Sequence, residues 1–303
     1  MKHSHFIILI GAIALLIFAF ISLSPRMAGK NSSMQHTGKA QSDQQKVAAN
    51  PPSAKALVID GRGISPLCFI NMDGESDKPA YTTENCGAGH YVVDKEAEMN
   101  PMGKRFISTA YKSQFDDTLR GQVGYTYLGD VDGHKALWIV QNGGGSGVFI
   151  SLVLADYNSD KKQLETVKTI ASGDRCNGSV STAHIADGTL SYERDLTPYD
   201  MLGLTGDDDT LKSPAAEQIP SCASCCYGWA IYRDNEFIGL QFDPRLPQGL
   251  AGKDYAKAPA AEKCFDDLAG HSFEEHKGYF NADAFKDFIG EVKGSCLKPA
   301  ESK

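Results

Sequence analysis

The stretch Gly173-Asp174-Arg175-Cys176-Asn177-Gly178-Ser179 carries the densest chemistry in the chain: an acid, a base and a thiol in succession, flanked by glycines. It joins two segments that read as strands. It is therefore expected to be a turn pinned by a disulfide, with Asp174 and Arg175 presented for ligand binding. A second concentration is Cys222-Ala-Ser-Cys225-Cys226. A Cys-x-x-Cys pair does redox chemistry when a helix N-terminus stabilises its thiolate. Here the next residues are Tyr227-Gly-Trp229-Ala-Ile231-Tyr-Arg233, which read as a strand, so a structural disulfide is the expected role. Tetrahedral zinc takes two close-spaced pairs, and no second Cys-x-x-Cys answers this one. No metal and no cofactor are expected.

Other candidates fall short of their motifs. Gly144-Gly145-Ser146-Gly147 approaches a nucleophile elbow, but Val148 stands where the second glycine belongs, and a strand comes next rather than a helix. No Lys-Ser/Thr succeeds Gly143, Gly144 and Gly145, so the loop is not a phosphate-binding P-loop. Asp156-x-Asn158-x-Asp160 opens like an EF-hand loop, yet Lys161 replaces the sixth-position glycine and Val167 the twelfth-position glutamate. A hairpin tip is the expected structure. Asp207-Asp208-Asp209 reads as an exposed acidic loop. His271 and Glu275 share a helical face, whereas His276 lies about 140° away from His271. His90, His134 and His184 are isolated in sequence. Asn31-Ser-Ser33 and Asn177-Gly-Ser179 are sequons that matter only in a eukaryotic source.

The elements that must position these residues are mostly strands. Asp132-Gly133, Asp187-Gly188 and Asp234-Asn235 separate β-branched and aromatic runs and supply the positive φ that tight hairpins need. Tyr157-Asn158-Ser159-Asp160 separates another pair of runs. Strands joined this way pair antiparallel. The expected fold is mainly β: an antiparallel meander, sandwich-like or a partial propeller, with short helices and a helical C-terminal tail. Thr197-Pro198 is suited to start one short helix. Asn281 can cap a helix whose Phe285, Phe288, Ile289 and Val292 recur at helical spacing, and residues 262–270 are expected to form another.

All eight cysteines lie between residues 68 and 296. Behind an export signal, an even count reads as disulfides. Short loops suggest Cys68 with Cys86 and Cys264 with Cys296, leaving Cys176 to reach the Cys222, Cys225 and Cys226 cluster. Cys225 and Cys226 point to opposite sides of an extended chain and so need different partners.

The first 55 residues differ from the rest. Residues 6–23 form an uncharged apolar run, about 27 Å long as a helix, and no good cleavage site lies beyond it. Residues 1–23 are expected to be an uncleaved transmembrane signal anchor, although Arg26, Lys30 and Lys39 after the run oppose export of the C-terminal part. Residues 24–55 form a polar linker without apolar periodicity, and 56–303 an exported domain. Of 30 basic and 38 acidic residues, six and one lie in residues 1–55, which leaves the domain with a net charge of −13. Such a domain repels nucleic acid and attracts a basic partner.

Anchor, polar tether and disulfide-bonded domain together resemble the architecture of exported bacterial envelope proteins. With no complete catalytic motif, the expected function is non-enzymatic: a tethered periplasmic or extracytoplasmic protein that binds a protein or cell-wall ligand. One concrete form is an inhibitor or immunity-type protein. The competing reading is a secreted or periplasmic hydrolase whose groups converge only in three dimensions, with His134 or His184 as base.

Overall fold

The computed structural model describes residues 53–70, 80–86, 90–94, 105–116, 118–206 and 208–297. The expected anchor, most of the linker and the side chains of Asp207, Asp208 and Asp209 lie outside them. Among the described residues no helix is long and apolar enough to cross a membrane.

The fold is mainly β and antiparallel. A small hairpin, β1 (Val58–Ile59) and β2 (Arg62–Gly63), turns at Asp60-Gly61, where both φ angles are positive. A 3-10 turn over Pro66–Phe69 comes next, started by the Ser65 hydroxyl. Seven strands form the larger sheet: β3 (Ala80–Thr82), β4 (Tyr91–Val93), β5 (Ile107–Ser113), β6 (Arg120–Val131), β7 (His134–Asn142), β8 (Phe149–Asn158) and β9 (Gln163–Asp174). Their order is β3-β9-β8-β7-β6-β5-β4. Five strands form the second sheet, in plain sequence order: β10 (Val180–Ala186), β11 (Thr189–Leu196), β12 (Gly228–Arg233), β13 (Glu236–Phe242) and β14 (Tyr279–Asn281). At the three tight hairpins, Asp132-Gly133, Asp187-Gly188 and Asp234-Asn235, both turn residues take positive φ. This is the twist-matched turn their sequences favour.

The larger sheet is covered on both sides. Leu137 and Ile139 face a core with Leu57, Ile64 and Phe69. Buried Tyr125 ties that core together: its hydroxyl donates to Ile64 O at 2.7 Å and accepts from Leu57 N at 3.3 Å. Trp138 and Val140 point the other way, against Val180, Ala183, Leu190 and Tyr192 of the second sheet. The indole Nε1 donates to Val180 O at 3.1 Å across that seam. Burial on both faces explains why residues 136–140 read as an unbroken apolar run.

The helices are α1 (Pro198–Gly203), α2 (Asp208–Leu211), α3 (Leu246–Ala251), α4 (Ala260–His276) and α5 (Ala282–Ser295). Thr197 and Asp200 form a capping box on α1, and Asn281 caps α5 by accepting from Ala284 N at 2.8 Å. The expected C-terminal helices are present as α4 and α5, and the Cys264–Cys296 bond joins them. Phe265 and Ala269 of α4 and Phe285, Phe288, Ile289 and Val292 of α5 bury against Ala230, Leu240, Phe242 and Phe280 of the second sheet. One face of that sheet therefore meets the larger sheet at one end and the helices at the other.

The cysteines form four disulfides: Cys68–Cys86, Cys176–Cys226, Cys222–Cys225 and Cys264–Cys296. Adjacent Cys225 and Cys226 have different partners. Four such bonds mark an oxidising environment, extracytoplasmic or secreted.

Candidate ligand-binding face

The other face of the five-stranded sheet carries half-buried polar and aromatic side chains. Strand register brings its residues into rows. Asp195 of β11 stands opposite Trp229 of β12, which stands opposite Gln241 of β13, which pairs with Tyr279 of β14. In the next row Thr182, Glu193, Ile231 and Gly239 are neighbours, and beyond it His184, Ser191 and Arg233. A Cβ on Gly239 would come within 2.9 Å of the Tyr279 hydroxyl, so the missing side chain makes room for that ring. Trp229, Ile231 and Tyr279 are half-buried and belong to none of the three apolar clusters. A bulge between Val180 and Thr182 turns the edge strand so that Ser181 and Thr182 both reach β11.

Two carboxylates occupy the middle of this face. Burial raises the Asp195 carboxyl above the ordinary carboxylate value. Hydrogen bonds from Ser181 and Ser179 work against the rise, and the negative charges of Glu193 and Asp243 add to it. The Ser179 hydroxyl donates to Asp195 Oδ2 at 3.1 Å. Glu193 is also raised by burial, opposed by the Thr182 hydroxyl and the Arg105 guanidinium. The charges acting on Asp195 are thus like-signed, and an external cation would relieve them.

This raised affinity has a measurable effect on stability. A carboxyl raised in the folded chain binds its proton more tightly there than in the unfolded chain. Its stabilisation is complete below the ordinary carboxyl range and is lost as pH rises through the folded value. Asp195→Asn is expected to be more stable than the parent at neutral pH, with a flatter stability profile on the mildly acidic side. Urea denaturation across that range checks this. A less stable variant at neutral pH would mean that the chain itself holds the ionised form.

Asp174 and Arg175 lie at the end of the larger sheet where the β7–β8 and β9–β10 connections meet. They are committed to each other: Arg175 Nε donates to Asp174 Oδ1 at 3.0 Å and Nη2 to Oδ2 at 3.1 Å. Asp174 Oδ1 also accepts from Val148 N at 2.8 Å. That guanidinium holds the Asp174 carboxyl below the ordinary range. The pair locks the turn to the glycine loop, and Arg175 keeps an exposed edge. In that loop the Asn142 amide donates to Gly145 O and Gly147 O and accepts from Gly144 N, a self-contained turn.

His134 Nδ1 lies 2.7 Å from Asp156 Oδ1, but both side chains are open to solvent on adjoining strands. His184 is half-buried opposite Ser191 on the same sheet face as Glu193, and His90 packs edge-on to Phe115. Among the described residues no group of acids, histidines and cysteines is arranged to hold a metal.

A cleft of about 760 Å³ adjoins the second sheet, lined by Cys225, Tyr227, Asp243, Arg245, Lys253 and Glu262 among others. Its most conspicuous group, Lys253, donates to Asp266 Oδ2 and Glu262 Oε1, each at 2.6 Å, and to the Tyr227 hydroxyl at 3.3 Å. The Tyr227 hydroxyl donates to Asp266 Oδ1. An ammonium has three protons, so none is left for a ligand, and the cluster is a structural clamp. Asp243 is likewise engaged, in a paired contact with Arg245.

Sequence reasoning missed Glu193, Asp195, Trp229 and Tyr279. The available signal was the period-2 series Ser191, Glu193, Asp195, which places one polar face on a strand whose other face carries Leu190, Tyr192 and Leu196, with Arg194 among them. Comparison with known protein families, curated proteins and solved structures finds no match to this chain, so its site is defined by its own geometry.

Proposed function

We propose that this chain is a non-enzymatic extracytoplasmic binding protein that takes a basic protein partner on the Asp195–Trp229 face of its five-stranded sheet. Residues 6–23 would hold it at the outer face of the cytoplasmic membrane, with the polar linker supplying reach. The carrying observation is the pairing of Asp195 with Trp229 and of Glu193 with Ile231 across neighbouring strands. A lysine or arginine lays its stem on apolar surface and needs a carboxylate at its tip. These rows offer both at adjacent positions. The domain's charge of −13 steers such a partner toward the face. Neutralising an enzyme that attacks the envelope is one form this function takes.

The hydrolase reading draws on one observation, the two carboxylates of raised proton affinity on a single strand, which is the kind of pair that serves as acid and base in glycoside cleavage. One set of variants separates the two. The test uses the purified chain in detergent and the partner it captures. Trp229→Ala is expected to weaken binding by about 2 kcal/mol, roughly 30-fold. Glu193→Gln is expected to slow association and to reduce its dependence on salt. Turnover of a glycan substrate that Glu193→Gln abolishes would replace the binding reading with the hydrolase.

A further inference from the structure

We propose that Cys222–Cys225 is a thiol–disulfide exchange site for an extracytoplasmic dithiol, while the other three disulfides are structural. Each of those three has at least one buried cysteine: Cys68 at 4% exposure, Cys176 at 5% and Cys296 at 8%. In the fourth, Cys222 is exposed and Cys225 half-buried. Access of an attacking thiolate to the sulfur is a condition of exchange, and this pair alone of the four meets it at both ends.

The bond contributes little to the fold. Its cysteines are three residues apart, against 18, 32 and 50 for the others, so it removes the least freedom from the unfolded chain. Its turn is held by other means as well. Cys225 N donates to Cys222 O at 2.8 Å, and Ala223 O accepts from Cys176 N at 3.2 Å. With the bond open, those contacts keep the two thiols within reach of each other, so closure is reversible.

The surroundings suit the chemistry. Cys225 lines the cleft beside Lys253, which has room for a peptide segment. The Ser224 hydroxyl lies 3.5 Å from Cys222 Sγ and can donate to a thiolate there. It takes the place of a helix N-terminus, since the chain continues into β12 instead. In the reaction, one thiolate of the dithiol attacks Cys222 Sγ. The Cys222–Cys225 bond breaks, a mixed disulfide forms, and Cys225 leaves as a thiolate that takes up a proton. The second thiol of the dithiol then loses its proton and attacks its own partner sulfur, releasing Cys222 as a thiolate that is protonated in turn. Two electrons and two protons have passed to the cysteine pair, and the dithiol has become a disulfide.

The test exposes the folded chain to graded dithiothreitol, traps thiols by alkylation and maps them by mass spectrometry. Cys222 and Cys225 are expected to open together at about tenfold lower reductant than any other pair, with tryptophan fluorescence unchanged. A second measurement uses Cys225→Ala, whose Cys222 thiol should form a mixed disulfide with oxidised glutathione while the fold persists. Opening of any other pair first, opening only together with unfolding, or a Cys222 thiol inert to glutathione would overturn the proposal.

Discussion

Replacing Lys253 with methionine is expected to destabilise the domain by about 3–5 kcal/mol, the usual cost of stranding a buried charge. The stranded group is Asp266, on α4, whose side chain is 1% exposed. Without the ammonium it keeps only neutral partners, the Tyr227 and Tyr255 hydroxyls, and Glu262, 14% exposed, becomes a second negative charge beside it without its ion-pair partner. Burial works against the charge on Lys253, but its hydrogen bonds to Asp266 and Glu262 outweigh it and hold the ammonium above its ordinary value. Stability from this lysine is therefore complete below the ordinary lysine range and is lost as pH rises through the folded value, on the alkaline side. Equilibrium denaturation in urea measures the cost. Lys253→Met combined with Asp266→Asn should recover part of it, because the double variant removes the charge that the single one strands. A single variant within about 0.5 kcal/mol of the parent would show that water reaches and solvates the cluster.

Removing the Cys176–Cys226 bond by paired serine substitution is expected to cost about 2–5 kcal/mol. It spans 50 residues, the longest separation of the four, and joins the β9–β10 turn to the residue before Tyr227. That turn also carries Gly178 N, which donates to Asp195 O at 3.0 Å, and Ser179, whose hydroxyl holds the Asp195 carboxylate. Loosening it should weaken partner binding as well as stability. Paired serine substitution at Cys222 and Cys225 provides the contrast, with an expected loss no greater than about 2 kcal/mol for so short a loop. Thermal denaturation of the two double variants, side by side with the parent, decides the order. An equal loss from both would mean that the short bond braces the fold as much as the long one.

The features that the sequence determined by itself were local. Asp-Gly and Asp-Asn pairs specify their hairpins because only a few residues accept positive φ, and those residues are visible at single positions. Asn281 and the spacing of Phe285, Phe288, Ile289 and Val292 specify α5 for the same reason: cap and periodicity lie within four turns of chain. The need for Cys225 and Cys226 to have different partners comes from the geometry of adjacent residues in an extended segment. Tertiary structure decided everything that depends on register between distant strands. Asp195 meets Trp229 across 34 residues, and Lys253 meets Tyr227 and Asp266 where a loop, a strand and a helix converge. A side chain's availability depends on which groups the rest of the fold brings within about 3 Å of it, and that distance is set by packing of the whole domain rather than by neighbours in the chain.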